Sequence, residues 1–110
     1  MHEIKVLPAC PVETTLTLIG DKWTVLILRD LLGGTMRFGE LRKSVGSVSQ
    51  KVLTAKLRDM EENGLVTRKV YAEVPPRVEY ALTPLGQSLA PILDAMKTWG
   101  EDYKASQKQK

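Results

Sequence analysis

Apolar residues recur at intervals of three and four along most of the chain, which is the spacing of one face of an α-helix. Two such runs predict helices over residues 11–19 and 22–32, with Gly20 between them and Gly33-Gly34 after the second. The two runs therefore indicate two consecutive helices. The predicted inward-facing residues are Leu16, Ile19, Trp23, Leu26, Ile27 and Leu31.

A third and a fourth helix follow, joined by a tight turn at Gly46. The fourth covers residues 47–64 and begins with Ser47 or Ser49 as its N-cap. This pair of helices has the lengths and the short connection of a helix-turn-helix. The third helix is short, and its predicted inward-facing residues are Phe38, Leu41 and Val45.

Alternation of apolar and polar residues replaces the helical spacing between residues 65 and 82. Pro75-Pro76 divides this stretch, which predicts a β-hairpin with a proline-stiffened tip. Thr83-Pro84 supplies a hydroxyl cap and a proline at the first helical position, so a last helix should run to about Tyr103. Pro91 lies inside it and predicts a kink. The predicted fold class is mainly α with a small β-hairpin (α+β).

Length and composition limit the classes of protein to consider. A chain of 110 residues with 43% hydrophobic content predicts a single domain, covering residues 1–110. A formal net charge of +3 permits a polyanionic partner without requiring one. The longest apolar run, residues 25–28, is too short to span a bilayer, and the N-terminus lacks a signal-peptide pattern. We therefore expect a cytoplasmic protein without membrane contact.

Residues suited to metal binding or catalysis are scarce. Cys10 and His2 are the only cysteine and histidine, too few for a structural zinc site. The chain has no Walker-type loop, no G-x-G-x-x-G and no paired histidine–carboxylate motif. We therefore expect no metal, no cofactor and no enzymatic activity.

The fourth helix has two different sides when it is projected at about 100° per residue. Its inward side carries Leu53, Leu57 and Met60. A small, polar and basic outward side suits the DNA major groove, where methyl groups contact thymine and basic groups contact guanine or phosphate. The alternative is a solvated amphipathic helix. The outward side contains Lys51, Thr54, Ala55 and Arg58.

Basic residues concentrate around this helix. Residues 37–58 contain six basic side chains and one acidic side chain, whereas the carboxylates at positions 59, 61 and 62 follow at the far end of the helix. A helix-turn-helix followed by a basic hairpin indicates a winged helix-turn-helix, with the helix-turn-helix at about 37–63 and the wing at about 65–82. The predicted DNA-binding residues are Arg37, Ser49, Gln50, Lys51, Thr54, Ala55, Arg58, Lys69 and Arg77.

Three segments carry a family resemblance: CPVETTLTLIGDKWTVLILRDLL from Cys10, RFGEL from Arg37, and SQKVLTAKLRDMEENGLVTRKVYAEVPPRVEYALTPLG from Ser49. They closely resemble the HxlR family of bacterial transcriptional regulators, from Cys10 to about Gly100. The resemblance implies a dimeric regulator that binds double-stranded DNA sequence-specifically and often answers oxidants, electrophiles or small metabolites. It leaves the effector, the operator and the sign of regulation open. Repression by steric blocking of polymerase is the simpler expectation.

The last helix, at about 83–104, supplies its own reason to expect a homodimer. Its large residues recur at four and three, forming a narrow heptad-like stripe that needs a partner surface. The alternative is that the stripe packs on its own domain, as we expect for its first half. Two-fold symmetry would present two fourth helices to an inverted-repeat operator. The predicted interface residues are Leu89, Ile92, Met96, Trp99 and Tyr103.

Cys10 is a candidate redox sensor. It immediately precedes Pro11, so its sulfur should lie near the free backbone N–H groups at a helix N-terminus, which favour a reactive thiolate. Several members of the resembled family use a cysteine at this position as a sensor. The alternative is an inert packing residue. For the whole chain, the rival function is a winged-helix module that binds another protein without specific DNA binding, and salt dependence would distinguish the two.

Overall fold

A computed structural model describes residues 6–108 and has an α+β fold, mainly helical, as the sequence predicts. His2 lies outside the described residues. No helix within residues 6–108 is both long and apolar enough to cross a membrane. In chain order the elements are α1 Pro11–Ile19, α2 Lys22–Leu31, β1 Met36–Arg37, α3 Phe38–Val45, α4 Gln50–Glu62, β2 Val66–Tyr71, β3 Arg77–Leu82, α5 Pro84–Gln87 and α6 Ala90–Lys108.

The predicted hairpin is confirmed, but the sheet has a third strand. Strands β2 and β3 pair antiparallel, and β1 adds to the other edge of β3 in the order β1-β3-β2. The pairs Met36↔Tyr80 and Arg37↔Glu79 fix the register of β1. Two residues are too few to display alternation, so the sequence gives no sign of β1. This strand brings Arg37 to the sheet that forms the wing.

The core lies between α2, α3, α4 and the sheet. As predicted, α4 buries Leu53, Leu57 and Met60, each with at most 1% of its surface exposed. Leu41 and Val45 of α3 are also buried. The prediction that Leu16 faces inward is wrong, because α1 packs on the domain through its C-terminal end and buries only Ile19. The largest fully buried side chains are Ile27, Leu28, Leu41, Leu53, Leu57, Met60, Leu65 and Val66.

The turn between α3 and α4 has specific local causes. Gly46 ends α3 with φ of 108°, in the left-handed region that favours glycine. Of the two predicted caps, Ser49 is the N-cap of α4, and its hydroxyl accepts a hydrogen bond from Val52 N at 3.1 Å. Arg42 Nε donates to Val48 O at 3.4 Å, across the turn. The start of α4 is therefore fixed by hydrogen bonds before and after its N-cap.

The C-terminal helical region is two helices, so the prediction of one kinked helix is wrong. Thr83 caps α5 by accepting a hydrogen bond from Gly86 N at 3.0 Å, but α5 ends at Gln87. A new helix begins at Ala90, which places Pro91 in its first turn, where the missing N–H breaks no helical hydrogen bond. The proline therefore begins α6 instead of bending it. Helix α6 then continues to Lys108, beyond the predicted end.

Candidate nucleic-acid interface

Five of the predicted DNA-binding residues lie together on the outward side of α4. They line an open surface depression of about 570 Å³ and include no carboxylate. Because the buried leucines hold the opposite side of the helix in the core, this surface faces away from the protein. Ser49 stands at its N-terminal end as the helix cap. The five residues are Gln50, Lys51, Thr54, Ala55 and Arg58.

Lys56, also on α4, points to a different part of the molecule. Its Nζ lies 3.4 Å from Asp21 Oδ2, at the N-terminus of α2. Asp21 caps α2 by accepting hydrogen bonds from Trp23 N at 3.0 Å and Thr24 N at 3.1 Å. Asp21 was not among the predicted caps, although an acidic residue directly before an apolar helical run is a recognisable N-cap signal. The ion pair joins α4 to the start of α2.

The carboxyl group of Asp21 is held in its charged form. Burial on its own would raise the pKa of Asp21. Hydrogen bonds from Thr24 Oγ1, at 2.6 Å, and from Thr24 N act in the opposite direction, together with the positive charge of Lys56. These favourable contacts outweigh burial and hold the pKa below its ordinary value. The network is therefore strongest when Asp21 is ionised.

A second polar link joins α2 to α3. Asp30 accepts a hydrogen bond from Ser44 Oγ at 2.9 Å and pairs with Arg29 Nε at 2.7 Å. Its side chain is largely buried, and buried carboxylates require such partners. Together with the Asp21–Lys56 pair, this link fixes both helices of the helix-turn-helix against α2.

One face of the sheet carries three of the predicted DNA-binding residues, Arg37, Lys69 and Arg77. Arg37, Glu79 and Lys69 are cross-strand neighbours in a single row, because Glu79 pairs with Arg37 on one side and with Lys69 on the other. Arg77 lies two residues from Glu79 on the same strand and so faces the same way. These cations surround one carboxylate, an arrangement that depends on the unpredicted strand β1.

Arg77, predicted to bind DNA beside the wing tip, makes ion pairs within the hairpin. Its guanidinium lies 3.5 Å from Glu73 Oε1 and 3.3 Å from Glu79 Oε2. The guanidinium carbon also stacks 3.9 Å from the centroid of the Tyr71 ring. Only about 25% of the side chain is exposed. Glu79 follows Arg77 by two residues on the same face of β3, whereas the turn of the hairpin brings Glu73 to it.

Cys10 is an exposed free thiol at the N-cap of α1. Its backbone oxygen accepts a hydrogen bond from Thr14 N at 3.0 Å, but its side chain makes no capping hydrogen bond. The predicted position at the helix start is confirmed, whereas the predicted contact of the sulfur with backbone N–H groups is not formed. The thiol is accessible to a solute or to another chain.

The large residues of α6 divide into two groups. Leu93 is buried, and Leu89, directly before the helix, packs against the core, so the start of α6 belongs to its own domain. Farther along, Met96, Trp99 and Tyr103 are each about half exposed or more, with Trp99 at 69%. The rings of Trp99 and Tyr103 stack with their centroids 5.4 Å apart. Ile92 lies between the two groups, at 37% exposure.

Comparisons with known proteins agree with this architecture. Residues 18–108 match the HxlR-like helix-turn-helix family. The chain is 50% identical over 95 residues to the HTH-type transcriptional regulator YdeP of Bacillus subtilis strain 168, covering 86% of this chain and 74% of YdeP.

Two solved structures have closely similar folds. The redox regulator HypR in its reduced form superposes with a TM-score of 0.83 and 42% identity, covering 92% of this chain and all of HypR. A MarR-family transcriptional regulator from Porphyromonas gingivalis W83 also gives 0.83, with 37% identity, covering 90% of this chain and 97% of that protein. The chain therefore belongs to the HxlR-like helix-turn-helix family of DNA-binding transcriptional regulators.

Proposed function

We propose that the protein is a homodimeric repressor whose two α4 helices read an inverted-repeat operator in the cytoplasm. The outward side of α4 is the observation that carries this proposal, since it is small, free of carboxylates and flanked by cations. Thr54 and Ala55 allow close approach to base edges, while Lys51 and Arg58 reach guanine or phosphate. The remaining proposed contacts are Ser49 and Gln50 at the helix start, and Arg37 and Lys69 on the sheet.

The exposed residues of α6 supply the dimer surface. Met96 also lines an open groove of about 510 Å³ between α2 and α6, together with Leu26 and Leu32, so the apolar surface extends beyond one helix. On α1, Val12 and Leu16 are likewise more than half exposed. Large exposed apolar residues of this kind are typical of a protein–protein interface. A second copy of the chain fits it, because two-fold symmetry lets one apolar stripe cover another.

An oxidant or electrophile is the proposed signal, and Cys10 is the residue proposed to react with it. HypR, which shares the fold, is a redox regulator solved in both oxidised and reduced forms. Cys10 is exposed beside the apolar surface of α1. As the chain's sole cysteine, it yields on oxidation an intersubunit disulfide, a mixed disulfide with a small thiol, or a sulfenic acid. We expect diamide or peroxide to change operator affinity in the parent and not in Cys10→Ser.

The test begins with selection and sequencing of genomic DNA fragments bound by the protein. Enrichment of an inverted repeat, with half-sites centred about 34 Å apart, is the expected result. Binding to that fragment should then weaken steeply with salt, because each neutralised phosphate releases counterions. No enriched sequence together with a flat salt response would overturn the proposal and favour a protein-binding module. Repression is tested by transcription from the selected promoter in vitro, where added protein should lower the transcript.

A further inference from the structure

Five side chains form a charged cluster on the outward face of the hairpin, here called the wing cluster. It contains two cations and two carboxylates arranged around one aromatic ring. Cross-strand register creates it, because Tyr71 pairs with Arg77 and Lys69 pairs with Glu79. Directly paired residues lie on the same face of a sheet with their side chains in reach of one another. The wing cluster consists of Lys69, Tyr71, Glu73, Arg77 and Glu79.

The two cations of the wing cluster have different environments. Arg77 is three-quarters buried, lies within 3.5 Å of both carboxylates and stacks on Tyr71. Lys69 is exposed, and its Nζ lies 4.9 Å from the centroid of the same ring. Among residues 6–108, no carboxylate oxygen comes within 4.0 Å of the Lys69 ammonium. One cation is therefore compensated within the hairpin, and the other is open to solvent.

The geometry points to Arg77 as a positioning residue that braces the wing, and to Lys69 as the wing cation that contacts the DNA phosphate. The inference rests on the proposed DNA-reading function. A phosphate that approached Arg77 would also approach Glu73 and Glu79, and would have to displace contacts that Arg77 already makes. Its repulsion by two carboxylates cancels much of the attraction. A phosphate at Lys69 meets no such ion pair.

Salt dependence separates these two roles. Each phosphate neutralised by a protein cation contributes about 0.9 to the slope of log affinity against log salt concentration. A cation that is already paired inside the protein releases few DNA counterions when the complex forms. Loss of Arg77 should therefore lower affinity, because a loosened wing must be ordered again when DNA binds, while the bound wing keeps the Lys69 contact and the slope stays nearly unchanged. Loss of Lys69 should reduce the slope itself.

The experiment measures binding of full-length Arg77→Ala, Arg77→Lys and Lys69→Ala to one selected operator over a series of salt concentrations. We expect Arg77→Ala to lose roughly tenfold in affinity, comparable with the loss of one stacked ion pair, with its slope kept. Arg77→Lys should not restore affinity, because an ammonium lacks the planar fork that spans two carboxylates and a ring. Lys69→Ala should flatten the slope by about 0.9.

Two results would overturn the assignment. One is a slope flattened by about 0.9 in Arg77→Ala and restored in Arg77→Lys, because a point charge would then be contacting phosphate. The other is an unchanged slope in Lys69→Ala. This second result tests the phosphate contact of Lys69 independently of what Arg77 does. Both results require that the parent binds with steep salt dependence. A flat response of the parent protein would instead refute the proposed function, and this assignment with it.

Discussion

The ammonium of Lys56 lies 3.4 Å from the carboxylate of Asp21, so a residue of α4 is paired with the cap of α2. This contact removes Lys56 from the surface that faces outward on α4. It also ties the orientation of α4 to the start of α2. The junction between α1 and α2 is therefore in direct polar contact with the proposed DNA-reading element.

Acid should weaken the fold through Asp21. Its pKa is lower in the folded protein than its ordinary value of 3.8, so folding favours the charged carboxylate. That contribution is fully present above the unfolded-state pKa and is lost as pH falls through the lower folded-state pKa. Asp21→Asn keeps an oxygen that can cap α2 but cannot ionise. Urea unfolding at a series of pH values should show the stability gap between parent and variant closing as pH falls below about 4. A gap that stays constant across that range would contradict the account.

Gly86 should be required by close packing. A Cβ at this position would clash with the carbonyl oxygen of Leu65, where α5 crosses the start of the hairpin. We expect Gly86→Ala to lower the free energy of unfolding by about 1–3 kcal/mol, the usual cost of overpacking. Gly39→Ala is the matched control, because nothing lies within 4 Å of its added methyl group. The control should be neutral or gain up to about 1 kcal/mol from helix propensity. Equal destabilisation of both variants in urea would refute the packing explanation.

Trp99 should stabilise the dimer but contribute little to the stability of the folded chain. The side chain is 69% exposed in the single chain, so Trp99→Ala removes little from the core. If it anchors the α6 contact, its loss should weaken the dimer by about 2 kcal/mol or more. Operator affinity should fall with it, because half-sites bound separately lose the advantage of a joined pair.

Sedimentation of Trp99→Ala, followed by titration on the operator, measures both effects. Glu101→Ala is the matched control on α6, since a projection at about 100° per residue places it opposite the stripe. The control should dimerise and bind DNA like the parent. A monomeric Trp99→Ala that still bound the full operator as tightly as the parent would end the dimer proposal.

The sequence was sufficient for the elements that repeat a clear period. Helical spacing located α1, α3 and α4, and alternation located the hairpin. The sequence was insufficient for features that depend on contacts between residues far apart in the chain. Strand β1 exists because Met36 and Arg37 pair with β3, and two residues carry no period of their own. Leu16 matched a helical period but lies on the outward side of a peripheral helix.

The candidate site shows the same division. The outward side of α4 was predictable, because one helix contains the whole pattern. The wing was only partly predictable, since the basic character of Arg77 is visible in the sequence and its contact with Glu73 across the hairpin tip is not. Lys56 counts as a cation of the basic region in the sequence, but in the structure it forms an ion pair with Asp21, the cap of α2. Charge counts along a chain thus overstate the cations that are free to meet DNA.

The central claim is that the outward side of α4 reads DNA, and a double variant tests it most directly. Lys51→Ala/Arg58→Ala should remain folded, because both side chains are exposed. It is titrated on the selected operator beside Lys104→Ala/Lys108→Ala, which removes the same charge from the exposed end of α6. We expect only the α4 variant to lose operator affinity, by about 1–3 kcal/mol for each base contact removed or with a slope flattened by about 0.9 for each phosphate contact. A folded Lys51→Ala/Arg58→Ala protein with the affinity, salt slope and sequence selectivity of the parent would contradict it.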